Sequence, residues 1–287
     1  MMAKINSLIR RISRKLYVGP QVKGAIVYLV RFSERDISDF EGSLKRLKKF
    51  FLDEFDYPVI AFHEADLGEE TKRKVINETS VNVQFELIKF EIPKFLSHLE
   101  IPEKVGPAGN PIGYRHMCRF FTGAIYQQPA LQEYDWYWRF DTDSVLLGKV
   151  DYDVFKFMAK NNLQYGYNRI THDPPSVVAG LGDATKKYIE DNNISPHFLD
   201  KFMQDGEWDR AMYYTNFEIS KMSFWRSKEV VAFFDYLDCL GGIYTRRWGD
   251  APIHLLMVSI FLPENQTHCF TDVPYRHHKC TVVPAKT

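Results

Sequence analysis

This sequence lacks an excess of charge of either sign: Lys and Arg total 37, Asp and Glu total 37, and the formal net charge is zero. A neutral chain has no electrostatic footprint for nucleic acid, so no nucleic-acid partner is expected. It also lacks long apolar runs. No stretch approaches the roughly twenty residues that a spanning helix needs, and no signal-peptide core is present. This predicts a cytoplasmic chain, or one peripheral to a membrane. Cysteine is scarce: Cys118, Cys239, Cys269 and Cys280 are scattered without metal-type spacing, which argues against both a zinc site and a disulfide framework. No linker divides the chain. Aromatic residues are plentiful at 15%, enough with the other apolar side chains to fill one large α/β core.

The aromatics concentrate in one place. Tyr134, Trp136, Tyr137, Trp138 and Phe140 run directly into Asp141-Thr142-Asp143. Such a run fits a central strand, and open α/β sheets bind ligands at the ends of their strands. Two carboxylates one residue apart can face one cation, and oxygen ligands suit Mg²⁺ or Mn²⁺ carrying a diphosphate. Nucleotide-sugar chemistry is therefore the first hypothesis. A second pair, Asp151 and Asp153, precedes an apolar helical pattern, and there Asp153 reads as an N-cap.

At the start, Ile5, Leu8, Ile9, Ile12 and Leu16 alternate at helical spacing with Lys4, Arg10, Arg11, Arg14 and Lys15. Residues 1–22 form a basic amphipathic segment, suited to peripheral membrane contact through residues 4–16 or to packing on the domain that fills residues 23–287. Residues 25–30 read as a strand buried on both faces, residues 40–55 as a helix, and residues 58–64 as a second strand, which implies a parallel crossover. Arg31, at the end of the first strand, faces either a nucleotide or a surface acid. Residues 83–90 suggest a third strand, residues 101–113 a loop, and residues 114–128 a helix. Arg115 and Arg119 share one face of that helix and meet either phosphates or surface acids.

Beyond the acids, residues 164–170 predict a strand and residues 171–183 a loop. Asn216 and Glu218 have the two-residue spacing that puts both on one face of a strand, where they share a pocket wall or form an exposed polar face. Residues 227–240 form a helix stopped by Gly241-Gly242. Asp250 precedes a helix opening with Ala-Pro, as an N-cap, as a carboxylate for sugar hydroxyls, or as both. His277 and His278 follow a terminal strand and suit a metal.

Five stretches taken together resemble glycosyltransferase family 15, the yeast-type α-1,2-mannosyltransferases. They are Tyr114 to Phe120, Tyr134 to Arg139, Asn216 to Ile219, Gly241 to His254, and Tyr275 to His278. The resemblance runs in order from about Gly24 to Cys280. It implies a GT-A-type single domain with a mixed, mostly parallel central sheet flanked by helices. It also implies GDP-mannose as donor, Mn²⁺ as cofactor, and transfer with retention to a mannoside or other glycan acceptor. By position, Asp141 and Asp143 match the family's metal and diphosphate acids, Glu218 its candidate nucleophile, Asp250 its acceptor-side acid, and His277 its metal-binding histidine. Arg31, Arg115 and Arg119 join the donor-binding candidates.

Two departures stand out: Asp141-Thr142 replaces the family's Glu-Pro, and the family's transmembrane anchor is missing, where the resemblance would suggest the Golgi. A transferase of the same fold using another nucleotide sugar, or an inactive carbohydrate-binding descendant, would share this pattern. With imidazole as one ligand, Mn²⁺ is expected over Mg²⁺. Strand alternation places Tyr275 and His277 on one face and predicts His278 turned away from the metal or serving the acceptor side.

Overall fold

A computed structural model describes residues 22–283. The basic segment at residues 4–16 lies outside the described residues. Strand β1 (Gly24–Val30) is buried almost throughout, as its unbroken apolar run predicts. Helix α1 (Glu34–Leu47) starts at Ser33, whose side chain caps the Asp36 amide, and buries Ile37, Phe40, Leu44 and Leu47. The chain then returns through β2 (Val59–His63), which pairs parallel to β1. Helix α2 (Glu69–Thr79) leads to β3 (Val83–Leu87), parallel to β2.

The aromatic strand, β4 (Trp136–Phe140), lies parallel on the other side of β1. The strand order reverses here, and the ends of β1 and β4 open a crevice between them. Three further strands complete the sheet: β6 (Tyr165–Tyr167), β7 (Phe217–Lys221) and β8 (Thr267–Cys269), giving the order β8-β6-β7-β4-β1-β2-β3. Only β7 runs against the rest, antiparallel to both β4 and β6. The sheet is mixed and mostly parallel, as expected.

Alternation along β4 sorts its side chains between two cores. Trp136, Trp138 and Phe140 join the core under α1 and α4 (Val154–Lys160). Tyr137 joins the core on the other face, together with residues of α3 (Ile112–Thr122), α6 (Lys228–Cys239) and α7 (Asp250–Phe261). Arg139 has the same parity as Tyr137, and Glu218 is its direct cross-strand partner on β7. Two ionisable residues are thus carried side by side into an apolar face.

A second, small sheet brings the end of the chain to the acids. Strand β5 (Val145–Leu146) follows the acidic turn and pairs with β9 (Tyr275–His277), which pairs in turn with β10 (Cys280–Val282). The Tyr275 hydroxyl fastens this sheet to the main one, lying 2.6 Å from both Ser144 Oγ and the Asn216 carbonyl.

Several expected boundaries move. The helix expected over residues 114–128 spans Ile112–Thr122 and stops at Gly123, where a Cβ would sit 2.6 Å from the Phe234 ring; a 3₁₀ turn follows. The strand expected at residues 164–170 divides into β6 and a separate strand, Ile170–His172, paired with Ala211–Tyr213. Part of the expected loop belongs to α5 (Leu181–Asp191). Asp153 caps α4 as expected, accepting from the Lys156 amide.

Arg115 is a fold determinant. It is fully buried, and its guanidinium donates to the carbonyls of Tyr244, Pro102 and Glu103 at 2.5, 2.7 and 2.8 Å. Replacing it with an apolar side chain orphans those acceptors. In guanidinium denaturation, Arg115→Met is expected to lower the unfolding free energy by about 3 kcal/mol. Asp153→Ala, which removes one helix cap, is expected to cost about 1 kcal/mol.

Candidate active site

The crevice between the ends of β1 and β4 encloses a cavity of about 560 Å³. Its walls come from the acidic turn after β4, the segment before β7, the N-terminus of α7 and the histidines after β9.

At one end, Asp143, His277 and His278 each present one donor atom, and the three atoms lie within 4.8 Å of one another. His277 Nε2 is 3.1 Å from Asp143 Oδ1, and His278 Nδ1 is 3.2 Å from Asp143 Oδ2. Burial pushes the Asp143 carboxyl upward, but its bond to His277 and the two imidazoles outweigh that and hold it below the usual carboxylate range. The Tyr214 hydroxyl lies 2.9 Å from His277 Nδ1, which fixes the ring and leaves Nε2 for the acids. One carboxylate and two imidazoles are a donor set that fits Mn²⁺ better than oxygen-seeking Mg²⁺.

The expectation that His278 turns away is corrected. Its backbone φ is +50°, in the left-handed region, so strand alternation ends at His277 and both rings meet Asp143. Asp141 lies beside this group rather than within it. Its Oδ2 is 3.7 Å from His277 Nε2, while its Oδ1 accepts from Arg139 Nε and Nη2 at 3.2 and 3.1 Å.

Arg139 forms the floor. It is 3% exposed, stacks on the Phe121 ring at 3.5 Å, and donates from Nη1 to Asp250 Oδ2 at 2.5 Å. Asp250 also accepts from the Thr215 hydroxyl at 2.8 Å. Burial alone would raise the Asp250 pKa, but the Arg139 charge outweighs it and the carboxyl stays below its ordinary value. The cap position of α7 belongs to Gly249, so Asp250 is the first helical residue and its carboxylate serves Arg139 instead of capping. Across the cavity, Arg247 is held by Asp173 and the Tyr114 hydroxyl, at 3.3 and 2.7 Å.

The remaining expected residues scatter. Glu218 is fully buried behind the floor, within 2.7 Å of Tyr165 Oη and His254 Nδ1, and does not line the cavity. Asn216 does line it, so the expectation of a shared wall fails because Glu218 turns into the core at the start of β7. Arg31 lies at the cavity edge, exposed and paired with Asp36 at 2.8 Å. The expectation that Arg115 and Arg119 contact phosphate is corrected. Arg115 is consumed by backbone carbonyls, and Arg119 clasps Asp238 of α6 at 2.7 Å, away from the cavity. Arg139, Arg247, Asp173, Tyr214 and Thr215 escaped the sequence reading. Only Arg139 carried a signal, as the one charge within an aromatic strand.

The depressed Asp250 pKa dictates a pH dependence. Stability from the ionised form is present above the ordinary value of 3.8 and is lost as pH falls through the folded value. At pH 7, Asp250→Asn is expected to cost about 3 kcal/mol, since Arg139 loses a buried partner. As pH falls from 7 through the folded value, the gap between the two proteins should narrow; a gap that stays constant across that titration would contradict this pairing.

Comparison with known proteins agrees with this architecture. The sequence profile described as "Glycolipid 2-alpha-mannosyltransferase" matches residues 3–287. The alpha-1,2 mannosyltransferase KTR1 of Saccharomyces cerevisiae is 32% identical over 286 residues, covering 93% of this chain and 72% of that protein. The probable mannosyltransferase KTR3 of the same yeast is 33% identical over 284 residues, covering 93% and 69%. Among solved structures, core-mannan synthase A (CmsA/Ktr4) of Aspergillus fumigatus, in a Mn/GDP form, has a TM-score of 0.81 at 28% identity, covering 93% of this chain and 77% of that one. The mannosyltransferase Ktr4p of S. cerevisiae in complex with GDP has a TM-score of 0.80 at 25% identity, covering 92% and 73%. With the GT-A-type sheet and a profile match along nearly its whole length, the chain belongs to the glycolipid 2-alpha-mannosyltransferase family and is a glycosyltransferase.

Proposed function

We propose that this chain transfers mannose from GDP-mannose to a hydroxyl of a mannoside or other glycan, with retention and with an α-1,2 linkage, and that it depends on Mn²⁺. The observation that carries this is the meeting of Asp143, His277 and His278 at one end of the cavity whose floor holds Asp250. The Mn/GDP form of the fungal relative supports the choice of metal and nucleotide. Asp143, His277 and His278 would hold the ion, with Asp141 beside them. A divalent cation there neutralises the diphosphate as it leaves.

The chain's own residues supply the rest. Arg139 fixes Asp141 on the metal side and Asp250 on the other, so the two ends of the site keep a constant separation. Asp250, ionised and lining the cavity, accepts a hydrogen bond from the acceptor hydroxyl and orients it. Arg31, just after β1, and Asp36, in the first turn of α1, line the cavity where they would flank the nucleotide. Retention admits either attack by Glu218 or entry of the acceptor on the leaving-group face. The complete burial of Glu218 favours the second route, with its carboxyl stabilising the cationic sugar from behind the floor.

Incubation with GDP-mannose, Mn²⁺ and methyl α-mannoside is the test. The expected product shows an α-1,2 linkage by NMR, with GDP released in equal amount. Asp143→Asn should lower kcat/KM by about 100-fold and weaken Mn²⁺ binding, measured calorimetrically, by about 10-fold or more. Asp250→Asn should slow transfer more than hydrolysis of the donor. An inverted product, or wild-type Mn²⁺ affinity in Asp143→Asn, would overturn the proposal.

A further inference from the structure

Behind the cavity floor lies a group of buried titratable side chains to which the mechanism above gives no separate role. His254 sits on α7 one turn after Asp250, on the same helix face, and is fully buried. Its Nε2 is 3.1 Å from the Phe121 carbonyl oxygen. A carbonyl can only accept, so Nε2 carries a proton. Its Nδ1 lies 2.7 Å from Glu218 Oε2, which also accepts from the Tyr165 hydroxyl at 2.7 Å. Glu218 Oε1 is buried with no hydrogen-bond partner among the described residues.

These contacts restrict the protons. With Nε2 protonated, a neutral His254 can only accept at Nδ1, and Glu218 must then be the acid that donates. The alternative is an ion pair in which Nδ1 holds the same proton. Both arrangements contain one proton between the two groups, and they differ only in where it sits. We propose that His254 is the positioning residue of Glu218, and that their shared proton passes from Glu218 Oε2 to His254 Nδ1 as positive charge develops on the sugar. The O–H bond breaks, the N–H bond forms, and no proton is exchanged with solvent. The inference rests on the reading of Glu218 given above.

The surroundings suit this task. An isolated carboxylate with no exposure is costly to ionise, and burial raises the Glu218 pKa. Tyr126, Tyr137 and Tyr165 face the pair as neutral hydroxyls, with Tyr126 Oη 3.4 Å from His254 Nε2 and 2.9 Å from Tyr137 Oη. Asp250 contributes a negative charge that opposes ionisation of Glu218. Arg139, the nearby cation, is committed to Asp141 and Asp250. In this proposal Glu218 holds the shared proton at rest and becomes a carboxylate when a cation forms nearby. Phe121 links the parts, because its carbonyl sets His254 while its ring carries Arg139.

A double-mutant cycle on the full chain tests the proposal, with kcat and donor KM measured for His254→Asn, Glu218→Gln and the double variant. His254→Asn should lower kcat by about 100-fold with KM changed less than about twofold. The double variant should be no slower than Glu218→Gln alone, since His254 acts through Glu218. Multiplying losses would overturn the proposal. Wild-type kcat in Glu218→Gln would instead overturn the Glu218 reading beneath it. If His254→Asn fails to fold, ¹⁵N-histidine NMR of wild type and Glu218→Gln decides. In wild type Nε2 should be protonated and Nδ1 at the unprotonated position, with a far-downfield proton hydrogen-bonded to Nδ1 that disappears in Glu218→Gln; a wild-type Nδ1 that carries its own proton at rest would refute the proposal.

Discussion

One buried guanidinium holds this site together. Arg139 is brought into an apolar face by the alternation of β4, and a charge there is sustainable only with full pairing. Its pairing reaches both ends of the cavity, to Asp141 and to Asp250, while the Phe121 ring covers its face. The burial that makes a lone charge expensive also strengthens each of these contacts. The acidic turn, the start of α7 and the end of α3 are therefore positioned relative to one side chain.

The metal end depends on a different device. Its histidines lie more than 130 residues beyond the acids in sequence, and they reach them because β9 pairs with β5 immediately after the acidic turn. Two short strands thus do what a long loop could do only at a greater entropic cost. The positive φ of His278 then turns a second imidazole onto Asp143.

Periodicity made the parallel half of the fold legible, because the strands of β1 and β2 are apolar throughout and α1 shows a clear helical spacing. The acidic turn was legible for the same reason, being an abrupt end to an aromatic run. Asp250 was visible from its place before an Ala-Pro helix start and His277 from the histidine pair after a terminal strand, the resemblance adding a role for each, and Asp153 from its position before an apolar helix. What could not be read was set by tertiary partners. Arg139 stood out as the one charge in an aromatic strand, but nothing local told that it binds carboxylates whereas Arg115, on a helix, binds carbonyls. Glu218 and Asn216 share a spacing but not a wall, because strand β7 begins only at Phe217. His278 depended on one backbone angle, which no pattern of side chains encodes.

The central claim is that the acids and the two terminal histidines form one metal and diphosphate site. Electron–nuclear double resonance of the Mn²⁺-loaded protein with bound GDP tests it most directly. The account predicts couplings from two imidazole nitrogens together with a ³¹P coupling from the diphosphate. A spectrum with ³¹P but no imidazole nitrogen, or with nitrogens and no ³¹P, would contradict it.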